Sequence, residues 1–338
     1  MIHTPNLDQL ASESVQYTNL NTVTAVCSPS RSALITGVYP VTIGLHQHRT
    51  RYKKEIPKGV LPITEYFKNA GYYVSNGSSK EIDSKGKTDY NFKHDFDEMY
   101  QGTHWRNRKK NQPFFSQIQI SFPHRPFAKD PSRSIDPDQV ELPPFYPDHE
   151  LLRKDWALYL ETIQLVDKQV GKIISDLKED GLLDKTIIFF FGDQGSPHVR
   201  AKQFLYNSGT NTPLIIRWPN GKEAGSINND LISNIDLPVV TLDLAKIPIP
   251  WYMPGNNFLK EKRHYIFTMR DRRDETVDRI RSVRDQRYKY IKNYYPEKPY
   301  MQANVYKDMR YPARPLLRLL NEKGKLNTEQ LVFLKERP

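Results

Sequence analysis

The chain has 338 residues, 38% of them hydrophobic and 12% aromatic, which suffices for one large α/β domain with a smaller appendage and excludes wholesale disorder. Fifty lysines and arginines against 39 acids leave a net charge of +11, which favours an anionic partner (nucleic acid, acidic membrane surface or sulfated glycan) without choosing among them. The single cysteine excludes an internal disulfide, and no run of 18 apolar residues offers a transmembrane helix.

The opening, MIHTPNLDQLA, shows no secretory signal and reads as a helix start at Thr4 and Pro5. A helix over 4–16 is expected, with Leu7, Leu10 and Ala11 inward. Thr24–Gly37, TAVCSPSRSALITG, then places Cys27 just ahead of a short helix. Pro29 suits a first turn, where its missing N–H has no partner to lose, and Gly37 suits the position after the last turn. Free N–H groups and the helix dipole at Cys27 favour an anion, and Arg31, one turn on, can reach back to the same spot. A lone cysteine is ordinarily a small buried hydrophobe; here the surrounding pattern argues for chemistry.

After Gly37 a loop carries His46 and His48. Pro62 opens a helix closed by Gly71, and Tyr72–Ser75 reads as a short β segment followed by the polar insertion SSKEIDSKGKTDYNF. Phe114–Phe122 alternates like a strand and delivers His124 to its C-terminal end, where ligands gather in open parallel sheets. Residues 128–150, rich in Pro and Asp, read as a long loop that could shape a substrate site. Residues 150–178 carry an apolar stripe from Leu152 to Leu177, a packing helix ended by Gly181. Thr186–Gly195, TIIFFFGDQG, is expected to be a central parallel strand buried on both faces, ending in Asp193-Gln194, two oxygen-bearing side chains suited to a hard cation. The run Pro213–Pro219 suggests a further strand, and 231–245 an apolar helix. Beyond 250, HYIFTMRDRRDE and RIRSVRDQRYKYIKN read as arginine-rich strands of a small antiparallel sheet. Their mixed charges suit a solvated surface, with a glycan contact for some of the arginines. A polar helical tail covers 312–338.

CSPSR followed by LITG closely resembles the sulfatase signature, and GLHQ at His46, Gly86-Lys87, Pro123-His124, GDQ at 192–194 and PLIIRWP extend the likeness over most of residues 4–295. The branch it most resembles is the heparan N-sulfatase (sulfamidase) type. The resemblance implies an alkaline-phosphatase-like α/β/α sandwich, with 1–250 as the catalytic domain and 251–338 as a partial C-terminal subdomain. It implies that Cys27 is oxidised to formylglycine by a maturation enzyme, and that one calcium ion sits on Asp193, Gln194 and residue 27. Arg31, Lys87 and Lys202 would hold the sulfate, His124 would lie near the leaving group or hold the sulfate oxygens, and His46 would touch the substrate. Lys80 competes with Lys87 for its role. Gln194 departs from the family's Asn or His. The substrate implied is a sulfated polysaccharide or oligosaccharide, the compartment periplasmic, secreted or lysosomal by family habit.

In sulfatases a first strand ending in adjacent metal-binding aspartates precedes the TPN-L helix with which this chain begins. The chain therefore reads as a fragment or a mis-called gene start, expected to bind calcium poorly and to be weak or inactive as it stands. Three rival readings stay open: a phosphoester or phosphonate hydrolase of the same superfamily, a non-catalytic glycan binder descended from a sulfatase, and, on net charge alone, a nucleic-acid binder.

Overall fold

The computed structural model describes residues 2–80 and 84–337; residues 81–83, inside the polar insertion, lie outside the described residues. Helix α1 (Pro5–Ser12) starts at its N-terminal proline but stops short of the expected residue 16. The reason is the next segment, Val15–Asn21, which is strand β1: Val15, Tyr17 and Leu20 are buried, and β-branched and aromatic residues at alternating positions suit a pleated surface better than another helical turn. Helix α2 (Cys27–Thr36) is the cysteine helix, with Val26 as its extended N-cap and Gly37 closing it at φ +68°. A Cβ at Gly37 would lie 2.7 Å from the flexible Met253 Sδ, and it is the left-handed backbone that favours glycine there.

Helix α3 (Ile63–Asn69), strand β2 (Tyr73–Ser78), the single turn α4 (Phe96–Met99) and strand β3 (Phe114–Gln119) follow. Strand β3 ends three residues before the expected Phe122. Helix α5 (Glu150–Glu179) matches the long apolar stripe. It is docked on α1, whose Asn6 side chain and Leu7 N–H both donate to the Asp167 carboxylate. Then come β4 (Ile188–Phe191), the turn α6 (Asn207–Thr210), β5 (Asn211–Arg217), the short β6 (Ile227–Asn228) and β7 (Ile232–Ser233), and α7 (Asp236–Leu244). The stretch 231–245 is thus a strand bridge plus a helix. The arginine-rich region forms β8 (Ile266–Arg270), β9 (Ile280–Arg284) and β10 (Lys289–Asn293), an antiparallel sheet as expected. Helices α8 (Val305–Arg310), α9 (Ala313–Glu322) and α10 (Thr328–Leu331) complete the chain. The tail is not a simple polar helix: Leu316, Leu317 and Phe333 are buried against Tyr146 and Leu152.

The large sheet runs β4-β5-β1-β6, with β7 also on β1, while β2 and β3 form a separate parallel pair. Its centre is β1 and β5, where Leu20, Leu214 and Ile216 are almost wholly enclosed. Burial of each such side chain is worth about 1.5–3 kcal/mol. Strand β4 is not the central parallel strand anticipated. It pairs antiparallel with β5 on one side only and is half-buried. Its residues are apolar on both faces, yet no strand among the described residues pairs with its other edge. Strand β3 has the same character, paired with β2 alone. Between β3 and β4 lies a groove of about 1840 Å³, lined by Phe115 and Ile118 of β3, Phe189 and Phe190 of β4, and Val166 and Val170 of α5. Pockets for small ligands usually measure about 300–1,000 Å³. No helix among the described residues is long and apolar enough to cross a membrane.

Candidate active site

Strand ends converge on the start of α2. The segment after β2 returns through Gly86, whose N–H donates to the Asn76 carbonyl at 2.9 Å. A Cβ on Gly86 would lie 2.3 Å from Asn76 Oδ1, so this close approach requires glycine and sets Lys87 at the pocket mouth. The turn beyond β3 brings His124, and β4 ends in Asp193 and Gln194. Ser30 of α2 locks that last strand end by donating its hydroxyl to the Asp193 carbonyl oxygen, while Asn234 Nδ2 donates to Ser30 Oγ at 3.1 Å.

Cys27 is buried, and the Lys202 ammonium, itself 1% exposed, donates to its Sγ at 3.3 Å. Burial pushes the thiol up, but Lys202, a hydrogen bond from the His124 ring and the nearby Lys87 together outweigh burial and the Asp193 carboxylate, leaving the thiol lowered to about 6. His124 Nδ1 lies 2.6 Å from the Arg125 carbonyl oxygen. A carbonyl can only accept, so Nδ1 carries the proton and Nε2 is left for the sulfur side.

Arg31 is heavily committed. Its Nε donates to the Thr88 carbonyl at 2.8 Å, and Nη2 donates to the Lys87 carbonyl and, at 2.7 Å, to Gln119 Oε1. Nη1 faces Asp193 Oδ2 at 3.5 Å. The guanidinium therefore ties the Lys87 segment, β3 and the end of β4 into one frame. Lys87 itself pairs with Asp89 at 3.2 Å. Burial pushes the Asp89 carboxyl up, but hydrogen bonds from Arg49 and the charges of Lys87 and Arg49 hold it well below the usual carboxylate range. Lys80 lines the same groove but is not among the groups acting on Cys27, its ammonium 5.0 Å from the Phe122 ring centre. His46 lies beside Asp271, Nε2 to Oδ2 at 4.0 Å, and is not among the groups acting on Cys27. Its neighbour His48 is buried, pushed down to about 2 by burial and then by Arg273, and stays neutral.

Several participants left no mark in the sequence. Lys307 of α8 is 2% exposed and donates to the Lys202 carbonyl at 3.0 Å, its ammonium 5.3 Å from the Phe204 ring and 5.5 Å from the Tyr311 ring. No carboxylate among the described residues pairs with it. Burial and the surrounding Arg273, Arg270 and Arg314 push it well below the ordinary lysine range. Arg125 holds the Pro197 carbonyl at 2.9 Å and Asp155 in a two-point pair at 2.7 and 2.6 Å, fixing the turn next to His124. Nothing in local periodicity signals either contact, because the partners lie 105 residues apart in the first case and 72 and 30 in the second.

The calcium site implied by the resemblance does not form from these residues. Asp193 already faces Arg31, and Gln194 Oε1 is buried without a hydrogen-bond partner among the described residues, so one carboxylate and one amide oxygen remain. No group of three or more His, Cys, Asp or Glu side chains placed to hold a metal ion occurs among the described residues. Calcium takes six to eight oxygens, so the set is too small.

The sulfatase family model matches residues 1–247, and the model for the C-terminal region of N-sulphoglucosamine sulphohydrolase matches 197–311. The chain belongs to the sulfatase family. An "Ulvan-active sulfatase" of Formosa agariphila is 36% identical over 389 residues, covering 98% of this chain and 64% of that protein. The N-sulphoglucosamine sulphohydrolase of Homo sapiens is 28% identical over 298 residues, 74% of this chain and 58% of that protein. The chain thus spans about three fifths of the length of these relatives. Among solved structures, one described as in complex with its substrate D-glucosamine-2-N,6-O-disulfate aligns with a TM-score of 0.66 at 18% identity, over 96% of this chain and 93% of that one. A phosphonate monoester hydrolase from Silicibacter pomeroyi aligns at 0.68 and 20%, over 98% and 92%. The fold is therefore the alkaline-phosphatase-like α/β architecture shared by both enzyme types.

Proposed function

We propose that this chain carries the anion-holding half of the active centre of a sulfuric ester hydrolase that removes sulfate from sulfated glycans, with residue 27 matured from cysteine to formylglycine by a dedicated enzyme. The observation that carries the reading is the buried Lys202 ammonium on Cys27 at the N-terminus of α2, joined there by His124 and Lys87. A cationic pocket around one sulfur atom, with the fully buried Lys202 ammonium at its centre, suits a tetrahedral anion better than it suits packing.

Formylglycine supplies a carbonyl that, hydrated, offers an oxygen nucleophile near neutral pH. Around it, Lys202 and Lys87 hold sulfate oxygens, and the free N–H groups of the α2 start add their dipoles. His124, its Nδ1 proton engaged by the Arg125 carbonyl, keeps Nε2 to exchange a proton with the leaving group. Arg31 acts as a positioning residue, since its donors fix Lys87, Gln119 and the Asp193 end of β4. Calcium enters no step derived from this chain, because the residues present do not make its site. The match of 197–311 to the sulphoglucosamine C-terminal region favours N-sulfate as the bond cleaved.

The test uses the unmatured protein, whose Cys27 thiol reports on the pocket. N-sulfated glucosamine should protect Cys27 from alkylation, more strongly than 6-O-sulfated glucosamine, and unsulfated glucosamine should not. Equal protection by unsulfated sugar, or stronger protection by a phosphonate monoester, would overturn the reading.

A further inference from the structure

The β8–β9–β10 sheet has one face fixed to the body and one that exposes Phe267, Tyr290 and Lys292 around a buried Met269. On the inner face Ile280 and Ile291 pack with Ala25 and Leu205, and the Lys289 ammonium donates to the Leu205 carbonyl and to Thr210 Oγ1. Arg284 reaches Asn21 and Asn19 from the same side. Side chains alternate across a strand, so the intervening positions face outward. The register aligns Phe267, Val283 and Tyr290 in one row, and Met269, Arg281 and Lys292 in the next. Phe267 is 51% exposed and Tyr290 66%; Tyr265, Tyr288 and Tyr294, which keep the same alternation, are exposed as well.

Five exposed aromatic rings on one small sheet are far more than scattered surface residues explain. Cations are interleaved with them: Arg287 lies 5.1 Å from the Tyr288 ring, Arg279 and Lys292 4.5 and 5.2 Å from the Tyr294 ring. The carboxylates bordering the face are already engaged, Asp285 by the N–H groups of Arg287 and Tyr288, and Asp271 by Arg281. The face is therefore aromatic and net positive.

It also leads toward the catalytic pocket. From Tyr265 to Asp271 the chain advances six residues, about 20 Å of strand. Asp271 is the partner of His46, and the adjacent Arg272 donates to Gln47 Oε1 at 3.0 Å, so the platform ends on the loop that flanks the site.

We propose that the outer face of the β8–β9–β10 sheet is a docking platform for a sulfated polysaccharide chain, holding polymer beside the Cys27 pocket. Ring faces of Phe267, Tyr288 and Tyr290 stack on the C–H faces of sugar rings, while Arg279, Arg287 and Lys292 pair with sulfate groups, for which guanidinium geometry is well matched. The choice of glycan over other polyanions rests on the sulfatase reading above; the platform itself rests on the aromatic and cationic face.

The experiment measures binding of heparin as a model sulfated polymer to the full chain, its Phe267→Ser/Tyr290→Ser double variant and a Tyr288→Ser single variant, all checked for unchanged thermal unfolding. The double variant should bind heparin about tenfold more weakly and the single variant a few-fold more weakly. Protection of Cys27 by N-sulfated glucosamine should be unchanged in both. Wild-type heparin affinity in both variants would overturn the platform. So would equal competition by a single-stranded DNA of matched charge, or a concentration-dependent dimer of the wild-type chain that the variants abolish. Loss of monosaccharide protection with polymer binding intact would instead strike the reading of the Cys27 pocket and leave the platform standing.

Discussion

Two sides of the same pocket differ in how completely they are built. On one side, α2, the Lys202 loop and α8 interlock: Lys307 holds the Lys202 carbonyl, Lys202 holds Cys27, and Ser30 holds the end of β4. On the other side, β3 and β4 face each other across an apolar groove, and among the described residues an edge of each is unpaired and Gln194 Oε1 has no hydrogen-bond partner. The contrast teaches that, among the described residues, the side proposed to hold an anion is interlocked while the side that would hold a metal offers few ligands. The two properties should therefore separate in experiments on this chain.

The largest expected effect falls on the finished side. Lys202→Ala removes the cation that opposes burial at Cys27, so the thiol should return from about 6 toward or above its ordinary range near 9. Alkylation at pH 7 should then slow by about 100-fold, since the thiolate is the reactive form. In the wild type the alkylation rate should climb through about pH 6 and level off above it. The same depression makes a stability statement. A thiol lowered on folding adds stability that is fully present above the unfolded value and is lost as pH falls through about 6, so the urea midpoint should drop across that window. Wild-type alkylation that begins only above pH 8 would break the comparison on its stronger side.

Next in size is a contrast in packing. Ile216→Ala, at an enclosed position of β5, should cost about 2–5 kcal/mol in urea unfolding. Phe190→Ala, in the half-buried strand beside the groove, should cost about 1–2 kcal/mol, because much of that ring already borders open space. Equal losses would mean that the groove is closed in solution. Smallest is a null result: calorimetric titration with calcium should show no stoichiometric binding at micromolar concentration. Tight one-to-one binding would show that the metal side is complete after all.

Much of the finished side was legible in the sequence, for local reasons. Pro29 and Gly37 specify a short helix closed by glycine, although it begins at Cys27 itself rather than after it and has no side-chain N-cap; the stripe of α5 and the alternation of β8–β10 are equally local. Strand β1 was not read because it follows α1 after only two residues, and its Gln, Thr and Asn dilute the apolar alternation. The misplacement of β4 has a different cause. Ile188–Phe191 is apolar on both faces, which identifies a strand meant for burial, but periodicity reports faces and says nothing about which edges find partners. The commitment of Arg31 to Thr88, Lys87 and Gln119, and the support of Lys202 by Lys307, depend on contacts across 56 to 105 residues and emerge only from the folded chain.

The most direct test of the central claim is the mass of the peptide spanning residue 27 after co-expression with a formylglycine-generating enzyme. The account predicts that the Cys27 thiol is replaced by an aldehyde that reacts with a hydrazide probe. An intact thiol in that peptide, under conditions where a known sulfatase is fully converted, would contradict it.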